Sequence, residues 1–179
     1  MARSLSCLLR AAPTGFVRRV ALVVLLSLAA ATPGAAGPAA DPPAASSAPI
    51  LTLVGAGGER AFDRAALEAL GTAAVETSNP WVKGVARYEG VPLRRVLEAA
   101  GLHGERLIAT ALDKYRAEIP MTDLADGGVI LALKENGRYL TRRNKGPLFI
   151  VYPFDAHPEL RNEVYFSRSV WQLTRIEVR

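Results

Sequence analysis

Residues 88–101 have the sequence YEGVPLRRVLEAAG and contain one short amphipathic helix together with the signals that begin and end it. Pro92 suits the first turn of a helix, where its missing N–H costs nothing, and Gly101 suits the position after the last turn. Between them the apolar side chains fall on one stripe, formed by Leu93, Val96, Leu97 and Ala100. The stretch therefore predicts a helix with one apolar face.

Short apolar runs of strand length lie on both sides of this helix. We predict strands at 50–54, 72–77, 107–112, 129–133, 148–152 and 170–178. A second helix is indicated between Asp63, which can cap it, and Gly71, which ends it. Asn136-Gly137 is typical of a hairpin turn. Many strands and only two clear helices predict a single α+β domain built on a mixed β-sheet.

The first 36 residues have the three parts of a signal peptide: a basic start, an apolar run and small residues before a cleavage point. The apolar run Val20–Ala31 has 12 residues, fewer than the roughly 20 that a membrane-spanning helix needs. Arg18-Arg19 stands where a twin-arginine signal would have it, but the residues that follow favour a Sec-type signal. We therefore expect a periplasmic or secreted protein with no membrane span once the signal peptide is removed by cleavage after Ala36 or Ala31.

Residues 37–49 are mostly Ala, Pro and Ser, a composition that cannot bury apolar surface and predicts a flexible spacer. The globular domain should then span residues 50–179. These 130 residues are enough for one domain with one core, but not for two.

The charge and cysteine content exclude several classes of protein. The formal net charge is +5, but four of the basic residues, Arg3, Arg10, Arg18 and Arg19, belong to the leader, which contains no acid. The rest of the chain is therefore almost neutral, and a nucleic-acid-binding protein is not expected. The only cysteine, Cys7, also belongs to the leader. The mature chain should accordingly have no disulfide, no thiolate metal site and no cysteine nucleophile.

The sequence contains no recognisable catalytic or metal-binding motif. Neither a Gly-x-Ser-x-Gly elbow, nor a phosphate-binding Gly-x-x-x-x-Gly-Lys loop, nor a His-Glu-x-x-His motif is present. His103 follows the end of a helix and is expected to be a solvated turn residue. Asp155-Ala-His157 offers two metal-ligand types, but an exposed polar loop is the simpler interpretation. We predict no metal ligands and assign no catalytic residue.

One candidate binding segment follows a predicted strand. It carries two hydroxyls, an amide, an indole and an ammonium group, from Thr77, Ser78, Asn79, Trp81 and Lys83. Loops carried on strand ends are where ligands usually bind. The alternative is a structural turn with the indole folded onto the core.

The second candidate segment lies before the strand at 148–152. Three cations within four residues, Arg142, Arg143 and Lys145, are followed by Gly146, which lets a ligand approach the backbone. Such a group suits a small anion such as a phosphate or pyrophosphate. The alternative is a solvated hairpin loop.

The chain as a whole resembles the sulfite-oxidase-type molybdopterin-binding domain family. The resemblance begins at the aromatic-x-Gly-Val-Pro-Leu segment and continues in order to the closing strand. It is carried by Tyr88–Gly101, Asp113-Lys-Tyr115, Ile119-Pro120, Leu131–Gly137, Lys145–Leu148, Tyr152-Pro153 and Trp171–Val178.

The resemblance implies an α+β domain that holds a molybdenum cofactor in a cleft. In catalytic members a cysteine thiolate after an early strand binds the metal, and Thr77 or Ser78 stands at the matching position of this chain. A hydroxyl is a much weaker ligand than a thiolate and keeps its proton near pH 7. The resemblance also implies that Arg142, Arg143 and Lys145 pair with the cofactor phosphate. It implies that Asn79 and Trp81 line the cleft, and that Asp113 and Tyr115 face the substrate.

Three hypotheses about function follow. The first is an exported molybdopterin-binding oxidoreductase that holds the metal only through the pterin and has a redox partner. The second is a cofactor-free periplasmic module on the same fold that binds another small anion, as a binding protein or as a sensor. The third is a structural or partner-binding domain with no ligand, for which Tyr165-Phe166 is a candidate contact with a partner. The sequence does not decide whether the protein is an enzyme.

Overall fold

The structure is a computed structural model that describes residues 48–126 and 128–179. The predicted signal peptide, and the predicted spacer apart from its last two residues, lie outside the described residues and remain predictions. Among the helices that the structure describes, none has both the length and the apolar character needed to cross a membrane.

The described residues form an α+β domain of short strands and few helices. The strands are β1 (Leu51–Gly55), β2 (Gly58–Phe62), β3 (Ala73–Asn79), β4 (Val82–Pro92), β5 (Arg106–Ala111), β6 (Arg116–Pro120), β7 (Ile130–Glu135), β8 (Arg138–Tyr139), β9 (Phe149–Val151) and β10 (Leu173–Val178). The α-helices are α1 (Arg64–Ala69), α2 (Leu93–Ala100) and α3 (Glu163–Arg168), and 3-10 turns span Met121–Leu124 and Pro158–Leu160.

Two sheets build the domain. The first is mixed, with strand order β2-β1-β10-β5-β6, and its β1–β10 pair is parallel whereas the other pairs are antiparallel. The second is antiparallel, with order β3-β4-β7-β8, and β9 also pairs with β7. The predicted α+β domain with mixed β-structure is therefore confirmed.

Strand β7 is buried on both faces because apolar groups lie on each side of it. Leu131 and Leu133 belong to the main core, which also contains side chains of the first sheet. Ile130 and Ala132 point the other way, into a smaller cluster with Tyr88 and other residues of the second sheet. This explains why the sequence of β7 is a continuous apolar run rather than an alternating one.

Helix α2 forms where the sequence predicts it. The four residues of its apolar stripe are all buried, and Gly101 ends it in the left-handed conformation with φ 67°. Pro92 is the N-cap rather than a residue of the first turn, so the helix begins at Leu93. The main chain thus leaves the long strand β4 and enters the helix at the proline, whose fixed φ suits this junction.

Four elements were not predicted from the sequence: β2, β4, β6 and α3. Along β4 buried and exposed residues do alternate, with Ala86, Tyr88 and Gly90 buried. Its two glycines and three charged residues hide this pattern. Helix α3 has only six residues and buries none of them fully, so it carries no helical periodicity to detect.

Candidate functional site

A cleft of about 330 Å³ lies where four connecting segments meet, and we call it the aromatic cleft. Its walls come from the turn between β3 and β4, the turn between β5 and β6, helix α3, and the segment that leads into β10. It is lined by Trp81, Ala111, Asp113, Tyr115, Glu163, Phe166, Ser167, Ser169, Val170 and Trp171. The volume falls within the range typical of small-molecule sites.

Three of the rings around this cleft meet at steep angles. The ring of Trp81 lies 5.1 Å from that of Trp171, with an interplanar angle of 86°. It lies 6.0 Å from the ring of Phe166, at 80°. Edge-to-face pairs of this kind are the favoured aromatic geometry. Two rings therefore stand almost perpendicular to the Trp81 indole, so that the aromatic lining presents more than one wall.

The charged groups of the cleft are both acids. Asp113 and Glu163 line it, whereas no Lys or Arg is among its lining residues. The backbone N–H of Tyr115 donates to Asp113 Oδ1 at 2.9 Å, and the Tyr115 hydroxyl donates to the carbonyl of Ser167 at 2.9 Å. These bonds fix the β5–β6 turn against helix α3 and hold one carboxylate at the mouth of the cleft.

The hydroxyls of Thr77 and Ser78, one of which the resemblance is expected to match with the family's cysteine, are both bonded within the protein. Thr77 is fully buried, and its Oγ1 accepts the backbone N–H of Asp155 at 3.2 Å. The backbone N–H and hydroxyl of Ser78 donate to the two carboxylate oxygens of Asp155, at 2.8 and 2.6 Å. Arg161 donates to Ser78 Oγ at 2.8 Å and to Asp155 Oδ1 at 2.6 Å. The group ties strand β3 to the loop after β9.

The environment of Asp155 stabilises its ionised form. The side-chain and backbone hydrogen bonds from Ser78 are the main causes, and together with the Arg161 charge they lower the pKa of Asp155 below its usual value. Asp155 was expected to be an unremarkable loop residue. Its contacts join residues 77 positions apart in the chain, which no local pattern reveals.

A second hydrogen-bonded group, the Glu135 cluster, runs from Asn79 to Lys145. Asn79 donates to the Tyr88 hydroxyl at 2.9 Å, and this hydroxyl donates to Glu135 Oε1 at 2.9 Å. Lys145 Nζ donates to the same oxygen at 3.2 Å, and Asn144 donates to Glu135 Oε2 at 2.9 Å. The side chains of Lys145 and Glu135 are only 15% and 12% exposed. Lys145 is therefore engaged by a nearly buried carboxylate.

The pKa values of the cluster follow from its geometry. Burial raises the pKa of Glu135, but the hydrogen bonds from Asn144 and Tyr88 and the charge of Lys145 outweigh this effect, and the net pKa lies below its usual value. Burial and the neighbouring Glu135 raise the pKa of Tyr88 well above its usual range. At neutral pH the cluster is thus a carboxylate surrounded by donors.

The remaining predicted site residues lie apart from the aromatic cleft. Lys83, Arg142 and Arg143 are exposed, and within residues 48–126 and 128–179 their side chains make no hydrogen bond or ion pair. Arg142 lines a separate surface depression near Pro147 and Thr174. Gly146 is buried, and a Cβ there would overlap the backbone of Leu140, so the glycine serves chain packing.

The structure brings together only some of the predicted site residues. Trp81, Asp113 and Tyr115 share the aromatic cleft. Thr77 and Ser78 belong to the Asp155 group, whereas Asn79 and Lys145 belong to the Glu135 cluster. Sequence reasoning did not identify five residues of these groups: Glu135, Asp155, Arg161, Glu163 and Trp171. Most of their partners are distant in sequence, and the family motifs that contain Glu135 and Trp171 implied no role for either residue.

The donor groups do not fit a molybdenum ion bound by a side chain. The hydroxyls of Thr77 and Ser78 are both committed to the Asp155 group. Across residues 48–126 and 128–179 there is no cluster of three His, Cys, Asp or Glu side chains suited to a metal. Every buried polar side-chain atom in the same part of the chain has a hydrogen-bond partner. The acidic lining of the aromatic cleft is equally unsuited to a phosphate-bearing cofactor.

Comparisons with known proteins agree on the fold. The family model for the oxidoreductase molybdopterin binding domain matches residues 51–179. The crystal structure of the sulfane dehydrogenase SoxCD from Paracoccus pantotrophus superposes with a TM-score of 0.52 at 21% sequence identity. The superposition covers 72% of this chain and 37% of that chain, so this chain corresponds to a minor part of the larger protein. No curated protein sequence matches the chain at a significant level.

Proposed function

Since the chain belongs to the oxidoreductase molybdopterin-binding domain family, we propose that it is an exported member that binds a small molecule without a molybdenum ion held by a side chain. The family resemblance read from the sequence is confirmed by the match over residues 51–179. The observation that carries the proposal is the engagement of Thr77 and Ser78 by Asp155 and Arg161.

The chemistry of these hydroxyls supports the proposal. A thiolate binds a soft-liganded metal as an anion, whereas a threonine or serine hydroxyl keeps its proton near pH 7. Using the Ser78 hydroxyl as a metal ligand would also break its bond to Asp155 Oδ1 and leave this carboxylate with fewer donors. A hydrogen bond that involves a charged group contributes about 1.5–3 kcal/mol. Ligation would therefore have to compensate for a loss of stability.

The binding function rests on the aromatic cleft rather than on the basic loop. In the anion site expected at residues 142–146, Lys145 is paired with Glu135. Only Arg142 and Arg143 of that site remain available to bind an anion. The cleft, by contrast, offers a concave surface of aromatic rings and a few polar groups, as ligand sites do. A role in the periplasm or outside the cell, as a sensor or carrier of that ligand, accords with the predicted signal peptide.

A second candidate function is retained because the family match covers almost the whole domain. In this alternative the chain is an oxidoreductase that holds a molybdopterin cofactor through the pterin and its phosphate alone. Arg142 and Arg143 would contribute the phosphate contacts, and a redox partner would be required. The bound cofactor would supply the redox chemistry, while the residues of the chain would only position it.

The molybdenum and pterin content of the purified protein separates these two functions. The full chain should be exported with its own leader from a host that makes the cofactor, and metal and pterin should be measured in the folded product. We expect neither. About one metal and one pterin per chain would contradict the proposal and favour the oxidoreductase.

Thr77→Cys and Ser78→Cys variants test whether the lack of a thiolate prevents molybdenum binding. Each introduces a thiol where the sequence after residue 36 has none. Because Thr77 is fully buried and Ser78 is partly exposed, only the second variant has room to present a thiolate. If Ser78→Cys gains molybdenum and Thr77→Cys does not, the missing thiolate alone explains a metal-free protein. Metal bound equally by the unmodified chain would contradict this reasoning.

A further inference from the structure

We propose that the aromatic cleft binds an organic cation of the alkylammonium class, such as a quaternary ammonium compound. This inference rests on the proposed function, in which the cleft is the binding site, and it names the chemistry of the ligand. It follows from the combination of aromatic walls and carboxylates without a basic residue.

The aromatic walls supply the first part of the argument. A cation is attracted to the face of an aromatic ring within about 6 Å of its centroid, and tryptophan is the strongest partner. Trp81, Trp171 and Phe166 line the same cleft, the rings of Trp171 and Phe166 are each steeply inclined to the Trp81 indole, and Tyr115 adds a fourth ring. Several rings around one small volume give a methylated ammonium group contacts on more than one side. Such cages are a recurring way to bind quaternary ammonium groups.

The carboxylates supply the second part. Asp113 has one oxygen committed to the Tyr115 backbone, which leaves the other available. Glu163 makes no hydrogen bond or ion pair within residues 48–126 and 128–179. The nearest basic residue of helix α3, Arg168, donates to Asp123 at 3.0 Å and so is engaged elsewhere. Two acids without a neutralising partner make the cleft attractive to cations and unfavourable to anions.

Exposure of the aromatic side chains supports a ligand rather than a packed core. Tyr115 is 45% exposed and Trp171 is 37% exposed, and both line the cleft. They are two of the six large hydrophobic side chains that are exposed within the described part of the chain. Exposed aromatic side chains that share one cleft are typical of a binding site, whereas single exposed apolar residues are normal anywhere on a protein surface.

The cleft also restricts which cations suit it. A volume of about 330 Å³ suits a small molecule such as choline or tetramethylammonium. A ligand that carries a carboxylate of its own, such as glycine betaine, would be repelled by Asp113 and Glu163. We therefore expect choline to bind more tightly than betaine.

Tryptophan fluorescence measures binding directly, because the chain has two tryptophans and both line the cleft. The metal-free full-length protein is titrated with choline, and with 3,3-dimethylbutan-1-ol, which has the same shape but no charge. We expect a saturable change with choline and affinity at least about tenfold weaker for the neutral compound, a factor consistent with cation–π and ionic contacts. Equal affinity for the two compounds, or no saturable change with choline, would overturn the inference.

Variants locate the site and provide controls. Asp113→Asn and Glu163→Gln keep the shape of each side chain, and each should weaken choline binding several-fold without altering binding of the neutral compound. Trp171→Leu should weaken binding by about tenfold or more, with Trp171→Phe in between. Glu118→Gln, on the surface pair with Arg106, should have no effect.

Failure of the inference about an organic cation can be distinguished experimentally from failure of the proposed function. Saturable binding of phosphate or molybdate in the cleft would overturn the choice of a cation, while leaving a metal-free binding module intact. Molybdenum and pterin at one per chain would overturn the proposed function, whatever choline does. A cleft that binds only a protein segment would show no change with choline and would likewise contradict the inference.

Discussion

Glu135→Gln removes the negative charge at the centre of the Glu135 cluster while keeping the size of the side chain. The carboxylate accepts from the Tyr88 hydroxyl, Asn144 and Lys145 at 2.9, 2.9 and 3.2 Å. A glutamine amide offers one acceptor and one donor, so at least one of these donors would face another donor. The Lys145 ammonium would also lose its counter-ion at a site where its side chain is only 15% exposed.

The magnitude follows from these contacts. Removing one partner of a fully buried ion pair costs about 3–5 kcal/mol, and a hydrogen bond to a charged group contributes about 1.5–3 kcal/mol. Because the pair is nearly but not fully buried, we expect a loss of about 2–4 kcal/mol in the free energy of unfolding at pH 7. For a domain of this size that corresponds to a drop of roughly 8–16 °C in Tm.

The pH dependence gives the assay a second, independent signature. The folded-state pKa of Glu135 lies below its usual value, so its contribution is present above the unfolded pKa of about 4.3 and is lost as the pH falls through the folded pKa. Urea unfolding followed by tryptophan fluorescence should therefore show a constant difference between wild type and Glu135→Gln from pH 6 to 8. The difference should shrink in acid.

Glu118→Gln is the matched control, because the same change falls on a pair in which the side chains of Arg106 and Glu118 are 55% and 57% exposed. An exposed pair contributes about 0–1 kcal/mol, so this variant should be nearly neutral. Lys145→Met should destabilise as Glu135→Gln does, whereas Arg143→Ala should not. A Glu135→Gln variant as stable as Glu118→Gln at every pH would refute this account of the cluster. Lys145 would then be available to bind an anion together with Arg142 and Arg143.

Three further predictions concern the packing of β4 against β7 and the group around Asp155. Gly90→Ala should lower the free energy of unfolding by more than about 3 kcal/mol and lower the yield of folded protein, because a Cβ there would overlap the carbonyl oxygen of Leu131. Gly57→Ala is the control, because a Cβ there meets nothing within 4 Å. Equal melting temperatures for the two variants would contradict the packing described for Gly90. Thr77→Val keeps the shape but removes the acceptor of the Asp155 amide, so Tm should fall by an amount equivalent to about 1–2 kcal/mol; an unchanged Tm in scanning calorimetry would count against the bond. Asp155→Asn should reduce the loss of Tm between neutral and acid pH. The lowered pKa of Asp155 gives stability that is present above the unfolded pKa of about 3.9 and is lost as the pH falls through the folded pKa. An identical fall of Tm in acid for wild type and variant would show that Asp155 contributes nothing to this pH dependence.

Local patterns in the sequence were sufficient for much of the fold. The apolar stripe of α2 and the left-handed Gly101 are short-range features, since each depends on residues within one or two turns of the chain. The hairpin at Asn136-Gly137 is equally local, and both residues adopt positive φ. Where the alternation was masked by charges and glycines, as in β4, the strand was missed although its buried residues do alternate.

The sequence by itself determined the α+β class, the family, and the absence of cysteine after residue 36, because these follow from periodicity, ordered motifs and composition. It also singled out Trp81, Asp113 and Tyr115, but not the space that they share. Only the tertiary structure decided that Lys145 faces Glu135, that Ser78 faces Asp155, and that Trp171 and Glu163 complete the aromatic cleft. Such contacts depend on how sheets and loops distant in sequence come together. The identity of a residue at one position does not indicate which distant residue it will contact.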